Sequence, residues 1–245
     1  MSHYVLVHGA WEGGWSWDSV APLLESNGHM VTTVQLPGSV GNMKPVDEVT
    51  LDGYVTEIVQ AIESSPEKVV LVGHSLGGIS ISQVAERMPE RIDRLVYVAA
   101  FLLQDGATAL EAMQSDAGGE MLPQLIFSED QSYAEVPETA WRETAFNDVK
   151  IDVVDSILPK LAEKQATQPF VTAVKLSEAR FGSVQKYIVR TSHDKVFSTD
   201  LQDRMIENWA TEKVVTLEAG HFPTLSMPKE LASVLLSMSP NESSV

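Results

Sequence analysis

The sequence predicts an α/β fold in which helices cover both faces of a doubly wound, mainly parallel sheet of about six strands. Short runs rich in Val and Ile, mostly apolar on both faces, alternate with amphipathic helical stretches, as expected for a buried parallel sheet. The alternation stops between about residues 102 and 182, too long a stretch for an unstructured loop. We therefore expect a sheet domain with an inserted helical cap.

Six runs are predicted as strands because each is too short for a core helix. In chain order they are HYVLVH (3–8), HMVTTV (29–34), KVVLVG (68–73), DRLVYVA (93–99), KYIVRT (186–191) and KVVTLE (213–218). The predicted helices cover 15–28, 50–65, 75–89, 198–210 and 228–238. Their ends carry recognisable signals, with Asn27-Gly28 and Pro89 at C-termini and Ser198 or Thr199 as an N-cap.

The chain has 245 residues, of which 44% are hydrophobic, enough for one domain with a substantial core. Residues 1–102 and 181–245 are predicted to form the sheet core, and residues 103–180 the cap. The cap region contains several short helical patches and no convincing strand. The C-terminal segment SPNESSV, 239–245, is expected to be frayed.

Composition excludes several classes of function. The net charge of −17 argues against nucleic acid and anionic membranes as partners, because both are bound through Lys and Arg. The chain has no cysteine, which excludes disulfides, thiolate metal sites and cysteine nucleophiles. Its His and Asp residues lack the spacing of metal ligands, so no metal or cofactor is expected. Without a signal-peptide pattern or an apolar run of roughly 20 residues, a soluble cytoplasmic protein is expected. The sequence is also compatible with a homodimer.

Gly73-His74-Ser75-Leu76-Gly77 matches G-x-S-x-G at the junction of a predicted strand and a predicted helix. In this context the motif is typical of a nucleophile elbow, a tight strained turn whose glycines avoid Cβ clashes. Ser75 would then stand beyond the carboxyl end of its strand and at a helix N-terminus, where developing negative charge is favoured. The motif alone is short enough to occur by chance, so its position between a strand and a helix is what indicates a nucleophile.

A nucleophilic serine needs a base and an orienting acid. Of the six histidines, His221 is favoured because LEAGHFP follows the last predicted strand and reaches the same sheet edge as the elbow. Asp194, in RTSHDKVF after the preceding strand, is the favoured acid, and the chain order Ser, Asp, His fits this assignment. Asp105, in the loop after the fourth strand, is the competing acid.

The remaining parts of a candidate site come from loops at the same edge. The backbone N–H of Leu76, after the nucleophile, and that of Ala10, in the loop HGAWEGGW, are the predicted oxyanion donors. Five further side chains are candidates for contact with a small-molecule substrate: Trp11, His74, Phe101, Trp141 and Phe222. Trp141 is the least specific of these, because an aromatic residue in a cap is more often part of a core.

Taken together, the segments YVLVHGAWEGGWSW, VVLVGHSLGG, LVYVAAFL, FGSVQKYIVRTSHDK and EAGHFPTLSMPKELA resemble the α/β-hydrolases over nearly the whole chain. More narrowly, they resemble the plant methylesterase and hydroxynitrile lyase group and bacterial pyrethroid-hydrolysing carboxylesterases. The resemblance implies a triad of Ser75, Asp194 and His221 and an oxyanion hole at Ala10 and Leu76. It is weakest in the cap, which normally selects the substrate.

Two positions bear on the reaction that this resemblance implies. Cyanohydrin lyases of the group have a threonine where this chain has Gly9, and a lysine where it has Phe222. The sequence therefore favours a serine carboxylesterase that hydrolyses small-to-medium, hydrophobic esters through an acyl-enzyme. The alternatives are a lyase or a C–C bond hydrolase on the same fold, and a ligand receptor that keeps the fold.

Overall fold

A computed structural model describes residues 1–238 of the chain; the segment 239–245, predicted to be frayed, lies outside the described residues. Within residues 1–238 the strands are β1 (His3–Val7), β2 (Met30–Thr33), β3 (Val69–His74), β4 (Ile92–Val98), β5 (Ile126–Phe127), β6 (Tyr133–Glu135), β7 (Gln165–Ala166), β8 (Gln185–Thr191) and β9 (Lys213–Leu217). Six of these form one sheet in the order β2-β1-β3-β4-β8-β9, and every neighbouring pair is parallel. The predicted parallel sheet of six strands is confirmed.

The α-helices of the described chain are α1 (Ala21–Ser26), α2 (Leu51–Glu63), α3 (Gly77–Arg87), α4 (Ala109–Gln114), α5 (Glu138–Ala140), α6 (Ile151–Ile157), α7 (Gln168–Val171), α8 (Thr199–Glu207), α9 (Pro223–Ser226) and α10 (Pro228–Ser237). Thr50 and Ser198 cap α2 and α8, each accepting a hydrogen bond from a backbone N–H three residues on. A π-helical turn, Trp141–Ala145, continues directly from α5.

The inner strands are buried on both faces, as their apolar sequences require. Along β1, Val5 and Val7 belong to one core cluster, which also contains residues of α2, α3 and the cap, while Tyr4 and Leu6 belong to a second cluster with α1 and α10. This alternation follows from the two-residue period of a strand. Because all six strands run the same way, their carboxyl ends lie at one edge of the sheet, where the loops of the candidate site gather.

Two local expectations are wrong. Residues 15–28 do not form one helix but a 3₁₀ turn, Gly14–Trp17, followed by α1, because Pro22 lacks the N–H that a continuous helix would need there. The segment 103–180 is not purely helical, since β5, β6 and β7 pair there as a small antiparallel sheet. Strands of two or three residues are too short to show a periodicity in the sequence.

Candidate active site

Ser75 lies on the turn between β3 and α3 with a φ of +50°, in the left-handed region that non-glycine residues seldom adopt. Its backbone N–H donates to the Val98 carbonyl (3.2 Å), and its own carbonyl accepts from Phe101 N (3.1 Å), so neighbouring backbone holds the strained turn in place. A Cβ on Gly77 would come within 2.8 Å of the His8 carbonyl oxygen. The elbow geometry therefore requires this glycine.

The structure brings the three predicted triad side chains together. His221 Nε2 is 2.9 Å from Ser75 Oγ, and His221 Nδ1 is 2.8 Å from Asp194 Oδ2. All three residues are buried, and Asp194 and His221 stand on the loops after β8 and β9, at the carboxyl edge of the sheet. A serine hydroxyl in this arrangement can pass its proton to the imidazole, and the carboxylate can stabilise the imidazolium that results.

The surroundings of Asp194 fix its orientation. Its Oδ1 accepts hydrogen bonds from the backbone N–H groups of Val196 (2.8 Å) and Phe197 (3.0 Å), and its Oδ2 also accepts from Thr191 Oγ1 (2.9 Å). The competing carboxylate, Asp105, is exposed and accepts instead from Leu176 N (2.8 Å), a bond to the end of the cap segment. The geometry therefore pairs His221 with Asp194 and not with Asp105.

Both predicted oxyanion donors lie next to the nucleophile in the fold, but only Ala10 lines the cavity. Ala10 lines the cavity beside Ser75, and Leu76 is the N-cap residue of α3, directly after the serine. Among the hydrogen bonds formed by residues 1–238, none is donated by the backbone N–H of Ala10 or Leu76. Two N–H groups without an internal acceptor are therefore available near Ser75, as an oxyanion site requires.

The cavity at Ser75 has a volume of about 410 Å³ and is mainly apolar. Of the predicted contact residues, Trp11, Phe101, Trp141 and Phe222 line it. Sequence reasoning missed eight further lining residues: Glu12, Met113, Met121, Val136, Ala145, Phe170, Val196 and Phe197. Five of these belong to the cap, where short irregular elements leave no pattern from which an inward-facing residue can be recognised.

His74, predicted to contact substrate, is not among the residues that line the cavity. It is fully buried, with Nδ1 2.8 Å from Glu12 Oε1 and Nε2 2.8 Å from the carbonyl oxygen of His221. Burial opposes charge on both partners, but the Glu12 carboxylate raises the pKa of His74, and the His74 charge holds the pKa of Glu12 below its usual value. His74 therefore supports the backbone of His221 instead of facing a substrate.

A cap segment also fixes the loops of the acid and the base. Asp148 Oδ2 accepts a hydrogen bond from the backbone N–H of Gly220 (2.7 Å), the residue before His221. The neighbouring Asn147 donates from Nδ2 to the carbonyl of His193 (2.9 Å), the residue before Asp194. Two adjacent cap residues therefore hold both loops, a role that nothing in their sequence context indicates.

From Met1 to Met238, no helix combines the length and the apolar character needed to cross a membrane. Over the same residues, no group of three or more His, Cys, Asp or Glu side chains is placed to hold a metal ion.

A parallel sheet that carries a serine on a strand-to-helix turn, with a histidine and an acid on later loops, defines the α/β-hydrolase class. The sequence model of the Alpha/beta hydrolase family matches residues 4–234. The chain belongs to this family.

The chain is similar to both esterases and a lyase. It is 33% identical to "Alpha-hydroxynitrile lyase" of Arabidopsis thaliana, over 94% of this chain and 93% of the lyase. It is 32% identical to "Putative methylesterase 11, chloroplastic" of the same plant over 96% of this chain, but spans only 63% of that relative's length. The solved structure of a pyrethroid hydrolase from Sphingobium faniae JZ-2 superimposes with a TM-score of 0.85 at 25% identity, over 96% of each chain.

Proposed function

We propose that this chain is a serine carboxylesterase that hydrolyses small-to-medium, hydrophobic esters. The observation that carries the proposal is the hydrogen-bonded series from Asp194 through His221 to Ser75 at the wall of an apolar cavity. The similarity to a methylesterase and to a pyrethroid hydrolase supports the same reaction type. No cofactor is invoked, because the side chains at this wall can supply every proton transfer that ester hydrolysis needs.

In the proposed reaction, Ser75 Oγ attacks the ester carbonyl carbon while His221 Nε2 takes the hydroxyl proton. The N–H groups of Ala10 and Leu76 hold the oxyanion of the tetrahedral intermediate. As this intermediate collapses, the bond to the alkoxy oxygen breaks and His221 returns its proton to the departing alcohol. A water molecule then gives a proton to His221 and attacks the acyl-serine, which releases the carboxylic acid and restores the serine hydroxyl.

The shape and polarity of the cavity support the substrate class. Its walls are formed largely by aromatic and aliphatic side chains, including Trp141 and Phe222, as is usual for sites that bind apolar ligands. Glu12, an acidic side chain in the wall, is bonded to His74 through one of its two carboxylate oxygens, and its negative charge disfavours an anionic ligand. A neutral apolar ester fits such a space better than a charged one.

The test is hydrolysis of p-nitrophenyl acetate and butyrate by the wild type and by Ser75→Ala. We expect Ser75→Ala to lower kcat by roughly 10⁴-fold or more, because the nucleophile is lost. Ser82→Ala is a matched control, because this buried serine of α3 hydrogen-bonds Gly78 and Tyr97 and lies outside the cavity lining. The absence of hydrolysis by the wild type on every ester tried would overturn the proposal.

Cyanohydrin cleavage is the second candidate, because one relative is an α-hydroxynitrile lyase. The local geometry disfavours it. A Cβ on Gly9 would lie 2.7 Å from the Cβ of Ser75 and would also clash with the Glu12 carboxylate, so there is no space here for the threonine that the resemblance implies for a cyanohydrin lyase. Release of cyanide from an aromatic cyanohydrin by the wild type but not by Ser75→Ala would support the lyase. Ester hydrolysis without release of cyanide would support the esterase.

A further inference from the structure

A second cavity of about 440 Å³ adjoins the cavity at Ser75. The two cavities share three wall residues, Trp11, Met113 and Phe170. The remaining walls of the second cavity come from the cap, and the polar side chains among them, Gln131, Gln165 and Thr167, carry no charge. The second cavity is therefore a neutral, mainly apolar space that shares part of its wall with the candidate active site.

The second cavity, unlike the first, is bordered by apolar side chains at the protein surface. Phe127 and Val171 line it and are 41% and 51% exposed, whereas Ser75 and His221 in the first cavity are buried. Exposed large apolar side chains beside a cavity are typical of a ligand site. The second cavity thus lies between an apolar patch of the surface and the space around Ser75.

Trp11, which belongs to the wall between the two cavities, is held in a fixed position. This residue has a φ of +59°, a conformation that is unfavourable for a bulky side chain. Its backbone N–H donates to Gln165 Oε1 (2.9 Å), its carbonyl accepts from Ala162 N (2.8 Å), and its indole N–H donates to the Ala134 carbonyl (3.2 Å). Three bonds to the cap therefore hold Trp11 in place, a pattern expected for a residue that shapes a site.

The other two residues of the shared wall differ in stiffness. Phe170 packs on Trp11 with ring centroids 6.0 Å apart, and both belong to an aromatic group that includes Trp141. Met113 is unbranched and has several rotatable bonds, so it adapts most readily to a neighbouring ligand. A chain that passes from one cavity to the other would therefore run along Met113.

We propose that the second cavity binds a flexible hydrocarbon arm of the ester whose carbonyl lies at Ser75. This proposal rests on the proposed esterase function and refines it, because it names the substrate class as esters with a long alkyl or alkenyl arm. An arm that moves from water into an apolar space gains roughly fourfold in binding per methylene. kcat/KM should therefore rise with arm length until the second cavity is filled, and then level off.

Two series of substrates test the proposal and distinguish the two sides of the ester. p-Nitrophenyl esters from acetate to dodecanoate lengthen the acyl arm, and alkyl acetates from ethyl to dodecyl lengthen the alcohol arm. We expect one series to show a rise of about two to four fold per methylene beyond butyl length. The series that rises shows which arm enters the second cavity.

Phe127→Ser is the main variant, and Ile126→Ser is its matched control. Both side chains are on β5 and exposed, but only Phe127 lines the second cavity. In Phe127→Ser we expect kcat/KM for the decyl substrate of the rising series to fall about tenfold, with the acetate value within twofold of wild type. Val171→Ser, at another part of the rim, should show the same pattern, and Ile126→Ser should match wild type at every length.

The outcomes separate this proposal from the one on which it rests. Hydrolysis of acetate esters with no gain from arm length in either series, or equal effects of Phe127→Ser and Ile126→Ser, would overturn the second-cavity proposal and leave the esterase standing. No hydrolysis of any ester would overturn both.

Discussion

Asp194→Asn tests the link between the acid and the base most directly. The carboxylate of Asp194 accepts from Val196 N and Phe197 N on one oxygen, and from His221 Nδ1 on the other. An asparagine that keeps its oxygen toward the two backbone N–H groups turns its NH₂ group to His221 Nδ1. The imidazole must then carry its proton on Nε2, facing Ser75, and cannot act as a base.

The opposite orientation of the amide is unfavourable, since it sets the NH₂ group against two buried backbone donors. We therefore expect kcat to fall about 10⁴-fold, the size of loss that the wrong tautomer causes in other triads. Burst and steady-state hydrolysis of p-nitrophenyl butyrate measures it, with Asp105→Asn as control, since Asp105 bonds only Leu176 N on the described chain. More than a tenth of wild-type kcat in Asp194→Asn, or an equal loss in Asp105→Asn, would refute the assignment.

Three further predictions concern Gly9, Glu12 and His8, which lie close to the elbow in the fold. Gly9→Ala should lower kcat about 10²-fold, because the new Cβ lies 2.7 Å from that of the nucleophile; wild-type turnover would contradict this. Glu12→Gln should lower the free energy of unfolding, measured by urea titration at pH 7, by about 3 kcal/mol, because the buried His74 imidazole loses its carboxylate partner. Unchanged stability would disprove the pairing. Burial lowers the pKa of His8, whose Nε2 accepts a hydrogen bond from Leu36 N (3.1 Å), so the unfolded state binds the proton more readily and folding stability is lost as the pH falls below 6.5. The stability advantage of wild type over His8→Gln should therefore shrink between pH 7.5 and 5.5, and a constant advantage would argue against a neutral imidazole.

The sheet and the residues at its carboxyl edge could be predicted because repeated, short-range patterns encode them. Each strand shows its burial on both faces in a run of apolar residues, and the parallel arrangement then places Ser75, Asp194 and His221 at one edge. Asp194 was favoured over Asp105 because its loop follows the strand next to the last one and so neighbours the loop of His221, and the hydrogen bonds in the structure agree with this choice. These inferences needed no knowledge of side-chain contacts.

The cap and the buried support of the site could not be predicted, because tertiary contacts alone define them. Residues of β5 to β7 pair only after the segment has folded back on itself, and no local pattern anticipates that. Glu12 stands among glycines and tryptophans in a loop, where a carboxylate is ordinarily solvated, yet it is buried against His74. His74 directly precedes Ser75 in the sequence, but the tight turn directs the two side chains to different surroundings.

The hydrogen bonds of Asn147 and Asp148 have a consequence for how such an enzyme can change. Because they reach the residues just before Asp194 and His221, the cap contributes to the alignment of these side chains as well as to the space above them. A cap transplanted from a relative would leave the Gly220 N–H without this acceptor unless an equivalent residue came with it. Substrate preference and catalytic competence are then inherited together, and new preferences are more readily acquired by point changes around the second cavity than by exchange of the whole cap.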